Sequence, residues 1–182
     1  MLYPTTASKL KNGAEAVFRS PRKEDAAAMI EQLRQMTGET PFLLRTPEEV
    51  TMTLEQEERF IESINQSDNN WMILCEVDGR YAGNCHLQLF TGRVKMRHRG
   101  SVAIGLSRDF WGMGIGSAMF DEMIRIAREQ GAKQLELAVI EGNERGLALY
   151  RKKGFCEYGR LPNALIQPDG SLSAEILMVC EL

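Results

Sequence analysis

Trp111-Gly112-Met113-Gly114-Ile115-Gly116-Ser117 lies between an apolar run at 100–107 and a helix-like run at 114–130. The earlier run, containing Ser-Val-Ala-Ile-Gly-Leu, reads as a strand. The later one carries Ile115, Met119, Met123 and Ile126 at i, i+4, i+8 and i+11, a single apolar helix face. Three glycines on alternate positions strip side chains from one tight turn, so backbone N–H groups can approach a ligand closely. The helix that follows presents unpaired N–H groups and the positive end of its dipole, both of which attract an anion. Chemically this is a phosphate cradle, although the same residues also read as a plain glycine-rich turn joining a strand to a helix.

Two familiar phosphate motifs do not fit. A Walker loop needs a lysine after its last glycine, but Gly116 is followed by Ser117 and Ala118, which argues against a nucleotide-dependent kinase. A dinucleotide fingerprint needs Gly-x-Gly-x-x-Gly, and the last spacing is wrong here. Glu136 stands about 20 residues downstream, as that fingerprint wants, but the turn comes too late in the chain to follow a first strand.

Working outward, residues 14–19 read as a strand stopped by Ser20-Pro21, with Ser20 as cap and Pro21 opening a helix. That helix runs to about Gly38 and would bury Ala26, Met29, Ile30, Leu33 and Met36. An irregular loop over 37–51 precedes a second helix at 54–65. Strands at 71–77 and 81–90 flank Asp78-Gly79, a strong hairpin signal. After the central helix, closed by Gly131, come a strand at 133–140 and a short helix at 143–153 stopped by Gly154. A last pair of strands, 155–166 and 172–182, surrounds Pro168-Asp169-Gly170. The expected architecture is one α/β (α+β) domain over residues 13–182, after a polar, loose lead-in at 1–12. Its central sheet is mixed and mostly antiparallel, with about seven strands and about four helices, and one parallel pairing in the middle.

Composition bounds the partners. The 182 residues carry 22 Lys and Arg against 25 Asp and Glu, a net charge of -3, too acidic for a broad nucleic-acid surface. No window approaches the ~18 apolar residues of a membrane span, and the N-terminal residues lack the apolar core of a secretory signal. Cys75, Cys85, Cys156 and Cys180 lie far apart with no Cys-x-x-Cys pair, so they read as reduced, and the expected location is cytoplasmic.

The glycine turn matches the pattern Arg/Gln-x-x-Gly-x-Gly/Ala, and in it the chain resembles the GNAT superfamily of acetyl-CoA-dependent N-acetyltransferases. A second signature supports the resemblance: Asn143-x-x-Gly146-Leu147-x-Leu149-Tyr150-x-x-x-Gly154-Phe155 is similar to the family's Asn-x-x-Ala-x-x-Leu-Tyr-x-x-x-Gly-Phe. Together motif and element order extend the likeness over roughly 14–182. The resemblance implies that the strand at 102–107, with Ile104 and Leu106, pairs with the pantetheine arm of acetyl-CoA. It implies that Gly112, Met113, Gly114, Ile115, Gly116 and Ser117 hold the pyrophosphate, and that Asn143 holds the pantetheine region. Tyr150 would donate a proton to the departing thiolate, and the backbone N–H of Leu106 would face the developing oxyanion. One position departs from the pattern. Trp111 stands where the family carries a basic or amide residue, which removes one side-chain contact and leaves the glycine backbone in place. Read without the family, Asn143 is an ordinary helix cap and Tyr150 a core aromatic.

The implied reaction moves an acetyl group from acetyl-CoA, a co-substrate needing no metal, to a primary amine of a small molecule, amino acid or protein. A non-catalytic acyl-CoA sensor of the same fold is the alternative. An amine with a free pKa near 10.4 needs help to lose its proton. Many family members place a glutamate on the strand before the turn, whereas residues 101–107 hold no carboxylate. His86, His98, Glu76, Glu136 and Glu141 are the other candidates, none singled out. His86, among apolar neighbours, reads more readily as a satisfied core histidine, and His98, within Arg97-His98-Arg99, as part of a solvated basic segment. The last strand is a candidate for pairing across a homodimer.

Overall fold

Each strand is placed by the turn or helix before it. The computed structural model describes residues 2–10 and 12–182. In chain order its elements are β1 (Thr6–Lys9), β2 (Glu15–Arg19), α1 (Ala26–Glu39), α2 (Leu54–Gln66), β3 (Asn70–Val77) and β4 (Arg80–Leu89). The second half comprises β5 (Arg99–Leu106), α3 (Ile115–Glu129), β6 (Gln134–Ile140), α4 (Glu144–Lys152), β7 (Cys156–Ile166) and β8 (Leu172–Glu181). The hairpin between β3 and β4 is tight because Asp78 and Gly79 both take positive φ, 49° and 75°, as a two-residue turn of that hand requires. Helix α2 starts where Thr53 accepts from Gln56 N while the Gln56 side chain accepts from Thr53 N, a reciprocal cap.

The strands form one sheet in the order β1-β2-β3-β4-β5-β6-β8-β7. Only β5 and β6 run parallel, as expected for a strand–helix–strand unit. The sheet has 8 strands where about seven are expected. The extra one is β1, in the stretch read as a loose lead-in, which pairs Thr6 with Phe18 through Lys9 with Glu15. Its residues, Thr-Ala-Ser-Lys, are all exposed, so no alternation marks it. Ser20 also differs from its reading as a cap. Its hydroxyl accepts from Tyr3 N at 2.7 Å, and the chain enters α1 through a short 3-10 turn whose Asp25 carboxylate accepts from Arg22 N.

The two sheet faces carry separate cores. Met72 and Leu74 of β3 pack with Ala26 of α1 and with Ile61 and Ile64 of α2. Alternate β3 residues, Trp71, Ile73 and Cys75, belong to the larger core with Met119, Phe120 and Met123 of α3. The same alternation governs β5. A Cβ at Gly105 would meet Met36 of α1, whereas a Cβ at Gly116 of α3 would meet Ile104 and Leu106.

At the start of α1 an ion cluster joins helix to sheet, with Arg19 donating to Asp25 at 2.7 and 2.8 Å and also to Glu76. Burial pushes the Asp25 carboxyl up, but the Arg19 and Arg22 donors outweigh it and hold its pKa below the ordinary value. A carboxylate lowered in the folded state stabilises it above the ordinary carboxylate pKa and loses that contribution as pH falls through the folded value. We expect Asp25→Asn to cost about 1–2 kcal/mol at pH 7 and progressively less below pH 4, read by urea unfolding at several pH values.

Candidate active site

The parallel contact between β5 and β6 lasts for three register positions, Arg99↔Gln134, Gly100↔Leu135 and Ser101↔Glu136. The salt bridge from Arg99 to Glu136 closes this vertex. Beyond it the two strands diverge, β5 to Leu106 and β6 to Ile140, and a cavity of about 980 Å3 opens between them.

The direction of the peptide groups follows from the ladder. Ser107 N bonds Ala82 O and Phe90 N bonds Arg99 O, so odd-numbered residues of β5 face β4. Ile104 and Leu106 therefore turn their N–H and C=O groups toward the opening. On the other side, Glu141 N bonds Ala174 O of β8, so the peptide groups of Ala138 and Ile140 point toward the opening from β6, with Ile140 O accepting from Asn143 N. Two half-paired strand edges thus line one cleft, a surface that suits an extended ligand bearing amide groups.

The cleft runs into the glycine turn. Gly112 and Gly114 have φ of 79° and 91°, and a Cβ at either would meet no protein atom within 4 Å. Gly114 is the N-cap of α3 and carries no side-chain cap; Ala118 N makes the first bond back to Gly114 O. The N–H groups of Ile115, Gly116 and Ser117 are left without intrahelical partners, an arrangement that attracts an anion. Gly116 differs from the other two: it is helical, and a Cβ there would sit 3.1 Å from Leu149 Cδ2. Met113 is partly buried against the core, and Ile115, itself buried, lines the cavity together with Ser117.

Trp111 makes contacts with three other residues around the turn. Its indole N–H donates to Leu106 O at 2.7 Å, tying the end of β5 to the turn. The Arg145 guanidinium lies 4.5 Å from its ring centroid, with Arg108 at 5.7 Å on the same residue. A cation from α4 therefore stands beside the glycine turn, held there by the aromatic ring. Sequence reading misses this because Trp111 and Arg145 meet only in the fold.

Asn143 and Tyr150 both line the cavity. Asn143 caps α4, its Oδ1 accepting from Gly146 N at 2.9 Å, which leaves its amide N–H₂ available. Gly146 is small for a local reason, since a Cβ there would come within 3.0 Å of that folded-over side chain. The Tyr150 ring packs 5.4 Å from Phe120 and 6.3 Å from Phe155. No described residue hydrogen-bonds its hydroxyl, and burial pushes its pKa up to about 12.

Among the candidate bases, four are accounted for elsewhere. Glu76 pairs with Arg19, Glu136 with Arg99 and Glu141 with Arg160, while His98 is exposed on the β4–β5 loop. His86 alone lines the cavity.

The chain belongs to the acetyltransferase (GNAT) family, whose model matches residues 30–155. A Bacillus subtilis protein provisionally named phosphinothricin acetyltransferase YwnH is 30% identical over 93 residues, 51% of this chain and 56% of that protein. The chain thus spans about half the length of that relative. A GNAT-family acetyltransferase from Streptococcus pneumoniae superposes with a TM-score of 0.85 at 27% identity, over 92% of this chain and 99% of the other. The fold is also that of a Sinorhizobium meliloti phosphinothricin acetyltransferase solved with acetyl-CoA, at TM-score 0.79, 20% identity, and 92% and 88% coverage.

Proposed function

We propose that this chain transfers the acetyl group of acetyl-CoA to a primary amine within a ternary complex. The observation that carries the reading is the continuity of the cleft. The free edge of β5 leads directly to the glycine turn at the start of α3, and together they match a ligand with an amide-bearing arm and a pyrophosphate.

Acetyl-CoA would supply an activated acyl carbon and a thiolate leaving group. Ile104 binds the arm by backbone hydrogen bonds from one side and the Asn143 amide reaches it from the other, while Trp111 holds the Leu106 carbonyl and leaves the Leu106 N–H for the reacting end. The N–H groups at 115–117 take the pyrophosphate, and Arg145 adds a charge beside them, so an overall acidic chain needs no broad basic surface. The Leu106 N–H faces the carbonyl oxygen as negative charge builds there. Tyr150 holds the departing sulfur. The amine enters from the α1 side of β5, over Ala103 and Gly105, where the wall is formed by Leu33, Met36 and Phe42.

The test pairs a binding measurement with a turnover measurement. Acetyl-CoA should raise the melting temperature by several degrees, consistent with ligand linkage. Thiol release should then appear with at least one member of a panel comprising α-amino acids, alkyl amines, polyamines and peptide N-termini. Saturable binding without thiol release across that panel would favour the acyl-CoA sensor instead.

A further inference from the structure

We propose that His86 is the general base for the attacking amine, an assignment that rests on the acetyl-transfer reading above. β5 carries no carboxylate, and Glu76, Glu136, Glu141 and His98 lie outside the cavity; of the carboxylates that line it, Glu39 is engaged by Arg108, while Glu144 and Glu175 belong to α4 and β8, across the cleft from β4. His86 sits in the middle of β4, directly across from Ala103. Partners in an antiparallel pair place their side chains on the same face, and Gly105, two residues along, looks toward Met36 of α1. His86 therefore shares the α1 side of the cleft with Ala103 and Gly105, the side from which the amine enters. Tyr150 and the start of α3 belong to the other side. A base on one face and a sulfur-binding hydroxyl on the other match the two proton movements the reaction requires.

The imidazole lacks the partners of a structural histidine. Among buried side-chain polar atoms of the described residues, two have no hydrogen-bond partner, Gln32 Oε1 and His86 Nε2. Leaving such an atom unpaired in a folded interior is costly, and the cost is retained more readily where a ligand will meet the group. Nδ1 likewise has no protein partner and is not among the sealed atoms, so it is the nitrogen open to the cavity. With no carbonyl or carboxylate to steady an imidazolium, the ring stays neutral. Burial, acting alone, lowers its pKa below the ordinary value. The flanking strands contribute no charge on this face, β3 offering Asn70, Met72 and Leu74 and β5 offering Ser101, Ala103 and Gly105, while α2 brings Glu57 to it beside Tyr81, with Arg45 nearby. The charged groups lining the cavity include Glu39 at the end of α1, Arg45 in the loop after it and Glu175 on β8, and Glu39 is engaged by Arg108.

The step balances without a co-reactant. The amine nitrogen bonds to the acyl carbon, and the carbon–sulfur bond breaks with its electron pair going to sulfur. The nitrogen gives one proton to His86, which releases it to solvent, and the thiolate, held by the Tyr150 hydroxyl, takes one proton from solvent, so the protons balance and His86 ends neutral. Once the new bond is forming, the nitrogen is far more acidic than a free ammonium, and a base of lowered pKa suffices.

Two measurements test this. In steady-state kinetics with the best amine of the panel, His86→Gln should lower kcat about 10²-fold. It should also remove the acid limb of the kcat/KM profile while leaving acetyl-CoA affinity unchanged. Because a lowered base is active above its pKa, that limb in the wild type falls below about pH 6.5. A His86→Gln protein with kcat within threefold of wild type, or with the acid limb intact, would overturn the assignment. The second measurement needs neither an acceptor nor a variant at the site. The chain has 2 histidines, so a proton NMR titration of wild type, assigned with the surface variant His98→Gln, follows both. The His86 resonance should titrate below the ordinary value and shift when acetyl-CoA is added. A normal titration unmoved by acetyl-CoA would also overturn the proposal. Wild type that neither binds acetyl-CoA nor releases thiol would sink the transferase reading itself, a different outcome from either of these.

Discussion

Tyr150→Phe is expected to lower kcat by about 10²-fold while leaving acetyl-CoA affinity and fold unchanged. The ring stays where it is because Phe120 and Phe155 hold its faces and edge, and phenylalanine keeps both contacts. Deleting a hydroxyl that no described residue engages should cost less than about 1 kcal/mol of stability. What disappears is the hydroxyl of a residue that lines the cavity from α4. Its raised pKa, about 12, sharpens the chemical role. A thiol resembling cysteine has a pKa near 8.5, so complete transfer from this phenol to a thiolate is uphill by roughly 3 to 4 units, or about 4 to 5 kcal/mol. Tyr150 therefore acts chiefly as a hydrogen-bond donor that strengthens as charge builds on sulfur, with the proton shared rather than surrendered early. Two consequences can be measured: kcat should show no basic limb from this phenol below about pH 11, and thioesters with more acidic leaving thiols should be less sensitive to the substitution. A variant with kcat within twofold of wild type would remove Tyr150 from the mechanism. A rise in Kd with unchanged kcat would reduce it to a binding contact.

How much of this was legible in the sequence depended on how local each feature is. Asp78-Gly79 specified the hairpin because positive φ at two successive residues is a property of the turn itself. Gly112 and Gly114 were legible for the same reason, and so was the order of the helices and strands around them. Features that depend on a distant partner were not. Ser20 looked like a helix cap until Tyr3 N claimed its hydroxyl. Trp111 looked like a lost contact because its partners, the Leu106 carbonyl and the Arg145 guanidinium, come from other elements. His86 read as a satisfied core residue because its apolar neighbours are in sequence, while the cleft it faces and the partner it lacks exist only in the fold. Asn143 is the helix cap that its local reading expects, its side-chain oxygen accepting from Gly146 N.

The glycine turn gives the second large effect. Gly114→Val should raise the KM for acetyl-CoA by 100-fold or more, and the size of that effect must be separated from ordinary strain. A side chain at φ of 91° is unfavourable in itself, costing about 1–2 kcal/mol, because Cβ crowds the backbone in that region. The same chain supplies the control. Gly131, just beyond the other end of α3, has φ of 79° and equally open surroundings. Gly131→Val should therefore lower the melting temperature by a similar few degrees and leave acetyl-CoA kinetics alone. The excess at Gly114 measures the cradle. On the proposed reading, the empty space beside Cβ is where a pyrophosphate would lie, and the valine methyls would cover the N–H groups at 115–117 proposed to meet it. A further contrast comes from the substrate. An acetyl thioester of N-acetylcysteamine carries the reactive end without pyrophosphate, so its turnover should be nearly the same in wild type and Gly114→Val. If both glycine variants weakened acetyl-CoA equally, or if the truncated thioester suffered as much as the full one, the turn would be a structural hinge and the anion site would have to lie elsewhere.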